Sequence, residues 1–122
     1  MSRDSGQQAE QTACDYLQQH GLVLLEQNYH CRRGEIDLIM RDDKTLVFVE
    51  VRARRSDRFG SALESITADK QSRIIATAQH YLQQNRFQQN CRFDVVALRI
   101  AQTADSQQHQ VSDWIRDAFQ LC

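Results

Sequence analysis

Glu35, Asp37 and Glu50 occupy positions that strand alternation brings to one face of a hairpin. Two segments carry them, Gly-Glu-Ile-Asp-Leu-Ile-Met at 34–40 and Thr-Leu-Val-Phe-Val-Glu-Val-Arg at 45–52. The polar stretch 41–44 can close a turn, either as two residues at Asp42-Asp43 or as four residues at 41–44. Both loops set Met40 opposite Thr45, Ile39 opposite Leu46, Asp37 opposite Phe48 and Glu35 opposite Glu50. One face then holds Ile36, Leu38, Met40, Val47, Val49 and Val51, and the other gathers the three carboxylates away from the turn. Such acids repel unless a cation lies between them, and a divalent metal is the answer that does chemistry. Mg²⁺ takes oxygen ligands, and one or two carboxylates plus a substrate phosphate suffice. The plainer alternative is surface ion pairing with arginine. One almost fully apolar face and a second, half-apolar face argue against it, because a hairpin covered on both sides buries its acids.

Further residues bear on the same chemistry. Glu10 lies beside the Ala9–Ala13 stripe of a first helix, about 60° round from Ala13, and can reach over the sheet edge. Arg52 follows Glu50 at i+2 on the same face, where a guanidinium would stabilise charge on a phosphate. Lys70 falls in the first turn of a second helix, if Thr67 caps it, where the helix dipole disfavours a cation. It also lies one turn before Ile74, on the expected inward side, so it either faces an anion or snorkels across the apolar stripe. Arg73 can assist or stay solvated. Arg52, Arg54, Arg55 and Arg58 crowd one short stretch and form a candidate phosphate-contacting patch.

The elements that must position these groups follow from periodicity. A helix over 4–20 carries Ala9, Ala13, Tyr16 and Leu17 and stops at Gly21. A strand at 22–29 begins buried, the hairpin follows and runs out into the basic stretch 52–55, and from there to Ser61 the chain reads as a loop. Ala62, Leu63 and Ile66 form a short turn before a long helix at 67–84, whose apolar positions are Ile74, Ala78, Tyr81 and Leu82. Residues 92–100 are a further strand, and 102–110 a mobile Gln/Ser-rich loop. Val111, Trp114, Ile115, Ala118 and Phe119 recur at helical spacing and predict a short closing helix.

Composition sets the frame. The chain has 122 residues, enough for one domain over 1–122 with a single core, and hydrophobic and charged shares of 41% and 25% are ordinary for a globular protein. No apolar run approaches a membrane span, and no membrane partner is expected. Four scattered cysteines without a Cys-x-x-Cys pair suit reduced thiols in the cytoplasm better than a zinc site or a disulfide framework. The net charge of −1 argues against a generic polyanion binder, yet residues 30–58 hold eight Lys/Arg against six Asp/Glu.

At Gly34–Ile39, Val47–Arg52 and Arg92–Val96 the chain resembles the YraN-like family of small bacterial proteins. That family is in turn similar to PD-(D/E)XK nucleases, archaeal Holliday junction resolvases in particular. The likeness runs from Glu10 to Phe119. It implies an α/β, restriction-endonuclease-like core with a mixed central sheet flanked by helices, in the order α-β-β-β-α-β-α. It implies metal-binding acids at Asp37 and Glu50, Glu10 as the helix-borne acid, and the carbonyl of Val51 completing the coordination of Mg²⁺ or Mn²⁺. The motif expects lysine where this chain has Arg52, which can stabilise phosphate charge but cannot deprotonate water. The first expectation is therefore a metal-dependent endonuclease on DNA, with branched DNA a candidate substrate. Asp37, Glu50, Arg52 and Lys70 would be catalytic, Arg54, Arg55, Arg58 and Arg73 would hold DNA, and a homodimer follows by analogy. A DNA-binding module that no longer cuts, and a protein-interaction adaptor whose acids and arginines pair with each other, are the alternatives.

Overall fold

The computed structural model describes residues 2–55, 61–86 and 90–120. A five-stranded sheet in the order β1-β2-β3-β4-β5 is covered by one helix on each face. The elements are α1 (Ser2–Gln19), β1 (Val23–Cys31), β2 (Gly34–Asp42), β3 (Thr45–Arg54), α2 (Ala68–Asn85), β4 (Cys91–Gln102) and β5 (Gln107–Phe119). All neighbours run antiparallel except β3 and β4, which are parallel and joined through α2. The sheet is thus mixed and the class α/β.

Local chemistry explains the helix ends. Gly21, at φ 94°, donates to the Gln18 carbonyl at 3.0 Å, and Leu22 N–H donates to the Leu17 carbonyl at 3.1 Å. This double bond pattern closes α1 and packs Leu22 against Leu17. At α2 the Thr67 hydroxyl accepts the Lys70 N–H at 3.3 Å, and Arg86 ends the helix in the left-handed region. Ser61 and Glu64 cap each other's backbone N–H groups at the turn before it.

Two apolar layers result. On one face Ala9, Ala13 and Leu17 of α1 pack on Leu38, Met40, Val47, Val49, Val96 and Leu98. On the other Ile74, Ala78 and Tyr81 of α2 pack on Ile36, Ile39, Leu46, Phe48, Phe93 and Val95. Coverage on both faces is as the hairpin pattern requires. Ile36, expected beside Leu38, instead packs in the other layer, so strict alternation is broken at Asp37. β1 is an edge strand rather than a buried one, with Val23 44% exposed.

The expected closing helix and the loop before it are replaced by β5, so the order ends in a strand. The cause is two irregularities against β4. One falls between Ala97 and Leu98, where Asp113 and Val111 are the partners and Ser112 is extra. The other falls between Val95 and Phe93, where Ile115 and Phe119 are the partners and Asp117 turns to φ 54°. The extra Ser112 reverses the alternation, whereas the two extra residues between Ile115 and Phe119 leave both on one face. Val111 and Trp114 thus face the α1 layer while Ile115 and Phe119 face the α2 layer, and the resulting spacing imitates a helix.

Asp94 ties this edge together. Its carboxylate, 0% exposed, accepts from Arg92 Nε at 3.1 Å, from Trp114 Nε1 at 3.0 Å and from the Asp117 backbone N–H at 3.0 Å. Arg92 also pairs with Asp42 at 3.0 Å, linking the β2 end to β4. Removing one partner of a buried pair strands the other. Asp94→Ala is expected to cost about 3–5 kcal/mol in urea denaturation; a loss within about 0.5 kcal/mol would show that the network carries no stability.

Candidate active site at the fork between two strands

The register of β2 on β3 decides where the acids meet. The turn is Asp43-Lys44, with Asp43 at φ 55°, and Asp42 pairs with Thr45. Ile39 therefore faces Phe48, and Leu38 faces Val49. Each partner lies two residues from the expected one, because the turn sits one residue later than the expected Asp42-Asp43 loop. Continued past Leu38, this register sets Asp37 level with Glu50 and Glu35 level with Arg52. The ladder itself stops at Leu38, and the strands fork.

Side chains satisfy the main chain across the fork. The Asp37 carboxylate accepts the Val51 backbone N–H at 2.8 Å, and the Glu50 carboxylate accepts the backbone N–H of Asp37. Around them a cleft of about 330 Å³ is lined by Glu10, Glu35, Asp37, Glu50, Val51 and Arg52, with Gly6 and Ala9 of α1 closing one side. The face pattern thus gathered Glu35, Asp37 and Glu50 correctly, and α1 adds Glu10.

Electrostatics in the cleft are strained. Glu50 is 8% exposed. Burial first, then the neighbouring Asp37 charge, pushes its pKa up to about 8 against the pull of Arg52. Burial also raises Asp37, opposed by the Val51 N–H and Arg52. Glu10 is pushed up to about 7 by burial, then by Asp37. The acids therefore share too much negative charge in too little water. Arg52 offsets only part of it: its Nη2 stands 3.6 Å from Glu50 Oε2, beyond a good hydrogen bond, and its buried Nε has no hydrogen-bond partner.

A cation would have fewer carboxylate ligands here than the three acids and Glu10 suggest. Among the described residues no three His, Cys, Asp or Glu side chains come close enough to hold a metal ion between them. Glu10 lines the cleft without being a third ligand in this geometry. Asp37, Glu50 and Val51 line the cleft, and a hard ion that keeps its waters would need only one or two carboxylates from the protein.

The other expected site residues lie elsewhere. Lys70 is exposed on the first turn of α2 and lines none of these clefts, contrary to the inward placement, because α2 begins to pack only at Ile74. Arg54 sits in a separate cleft of about 510 Å³ with Ala62, Ala97, Arg99 and Ser112, and its Nη1 is buried without a hydrogen-bond partner. Arg55 is exposed just past β3, and Arg58 lies outside the described residues. Arg73 is exposed on α2, beside the β1–β2 turn.

Comparison with known proteins agrees with the sequence resemblance. A family model for the uncharacterised protein family UPF0102 matches residues 9–98. The chain belongs to that family. It is 57% identical over 121 residues to a UPF0102 protein of Nitrosococcus oceani, covering 98% of this chain and 94% of the relative. Relatives in Nitrosomonas europaea and Pseudomonas aeruginosa are 54% and 50% identical, over 95% and 97% of this chain and 93% and 94% of their own lengths. No helix among the described residues of this UPF0102 protein is long and apolar enough to cross a membrane.

The raised acids have a thermodynamic consequence. A carboxyl whose pKa rises from 4.5 to about 8 on folding binds its proton more tightly in the folded chain. Its contribution to stability is complete below the unfolded pKa and is lost as pH climbs to the folded one. The melting temperature of the wild type should fall between about pH 4.5 and pH 8. Glu50→Gln should flatten that fall and melt on the order of 5 °C higher at the alkaline end. Parallel profiles for the two proteins would show that Glu50 carries no such strain.

Proposed function

We propose that this UPF0102 protein is a metal-dependent endonuclease acting on DNA, branched DNA included. The observation that carries the reading is the cross-hold of two carboxylates at a strand fork, Asp37 on the Val51 N–H and buried Glu50 on the Asp37 N–H, with an unsatisfied guanidinium beside them. Asp37, Glu50 and the Val51 carbonyl would hold Mg²⁺ or Mn²⁺. A bound ion of this kind supplies Lewis-acid polarisation of a phosphate and lowers the pKa of a nearby water.

The chain's own groups do the rest. Arg52 stays protonated and offers its buried Nε to a phosphate oxygen as charge builds there. Glu10, with a carboxyl poised at about 7, holds or releases a proton at neutral pH. Arg54 and the exposed Arg55 suit flanking phosphates, and Arg54 carries a donor with nothing to bind. Lys70, exposed and outside the cleft, has no part in this scheme. Resolvase-like enzymes meet two-fold substrates as dimers, so a homodimer belongs to the same proposal.

One observation favours a second reading. Arg52 stands where the related nuclease motif has lysine, and it already contacts Glu50 at 3.6 Å. A guanidinium cannot activate water, which suits a module that binds DNA without cutting it.

The two part on a cleavage assay with linear and four-way DNA, with and without Mg²⁺ or Mn²⁺. Cleavage is expected only with metal, and Glu50→Ala should reduce it on the order of 100-fold or more. Intact DNA with folded wild type, yet salt-sensitive binding, would select the non-cutting module.

A further inference from the structure

The arginines of the chain divide by whether they have partners. Arg92 is held by Asp94 and Asp42, Arg52 leans on Glu50, and Arg116 lies over the Trp114 ring at 3.9 Å. Arg32, Arg33 and Arg73 differ. Among the described residues none of these three forms an ion pair. Yet all three line one cleft of about 540 Å³, together with His30 and Glu35.

Fold geometry holds them there. Arg32 and Arg33 form the β1–β2 turn, and Arg73 projects from α2. Gly34 joins the two: a Cβ at this position would come within 3.0 Å of Thr77 Oγ1 and 3.3 Å of the Arg73 carbonyl. Glycine thus lets the turn lie against α2. Three like charges lining one solvent-exposed cleft repel one another. A polyanion relieves that, and guanidinium forks match phosphate oxygens.

The cleft also shares Glu35 with the acidic cleft at the β2–β3 fork. The shared Glu35 makes the two clefts neighbours, so a nucleic-acid strand lying over the acids would continue toward the turn. We propose that Arg32, Arg33 and Arg73 form a phosphodiester-binding track that holds the flank of a DNA substrate at the fork, reading backbone and not base. The inference rests on the DNA reading above and adds to it the surface that grips the substrate. It supplies affinity without sequence preference, since the cleft offers cations and no base-stacking ring other than the His30 imidazole.

The test is DNA binding in the presence of EDTA, which separates grip from cleavage. Fluorescence anisotropy with one labelled duplex and one four-way junction, from about 20 to 200 mM salt, compares wild type, the triple variant Arg32→Gln/Arg33→Gln/Arg73→Gln and Glu50→Gln. The triple variant should bind at least about tenfold more weakly at low salt, with a shallower slope of log affinity on log salt by about two to three. Glu50→Gln should bind as well as wild type or better. A Lys substitution at all three positions should restore most of the slope. Equal affinity and slope for a folded triple variant, with wild-type binding intact, would overturn the track and leave the DNA reading standing. No binding by wild type at low salt would overturn both.

Discussion

Two carboxylates that each hold a backbone N–H across the fork of neighbouring strands set the terms for this molecule. Where Asp37 and Glu50 meet, the β2–β3 ladder ends, and a carboxylate takes the Val51 N–H that a main-chain carbonyl would otherwise receive. The arrangement satisfies a backbone donor and fixes both acids at once. It also confines like charge where little water can screen it, which burial and mutual repulsion express as raised pKa values for Asp37, Glu50 and Glu10. A proton relieves that strain at low pH. A cation would relieve it at neutral pH, and a phosphate ester would then follow the cation.

The rest of the fold keeps the fork in place. β3 and β4 are parallel and central, so they need helices on both faces, and α1 and α2 supply them. α1 brings Glu10 over the fork; α2, through its close approach to Gly34, sets the β1–β2 turn beside it. On the far side of the sheet the Asp94 network fixes β5 to β4 through a buried carboxylate with three donor groups. The two buried carboxylate regions are treated differently. Asp94 is fully supplied with donors and is structural, whereas the fork leaves acids short of positive charge and an arginine short of acceptors.

Much of this was legible in the residues. The hairpin alternation named Glu35, Asp37 and Glu50 as neighbours, Gly21 and Thr67 marked helix ends, and the apolar stripe of α2 ran through Ile74, Ala78 and Tyr81 as observed. The resemblance placed the family and the mixed sheet. Period failed where the chain bulges: at β5 two irregularities turned a strand pattern into a helical one, and at Asp37 a break in alternation sent Ile36 to the opposite layer. Asp94 gave a signal of its own, an acid inside the apolar run 93–98, but its partners Trp114 and Asp117 lie about twenty residues away and could not be paired by spacing.

By itself the sequence determined what depends on neighbours along the chain: which segments are amphipathic, where helices start and stop, and which acids share a hairpin. Only the tertiary structure decided the quantities that depend on distance through space. These are the Asp43-Lys44 turn that sets the register of β2 on β3, the exposure of Lys70, and the division of arginines into paired and unpaired. The physical reason is range. Backbone preference acts over a few residues, whereas burial and Coulomb interaction act between whatever the fold brings together, and the chemistry of this cleft is made of the latter.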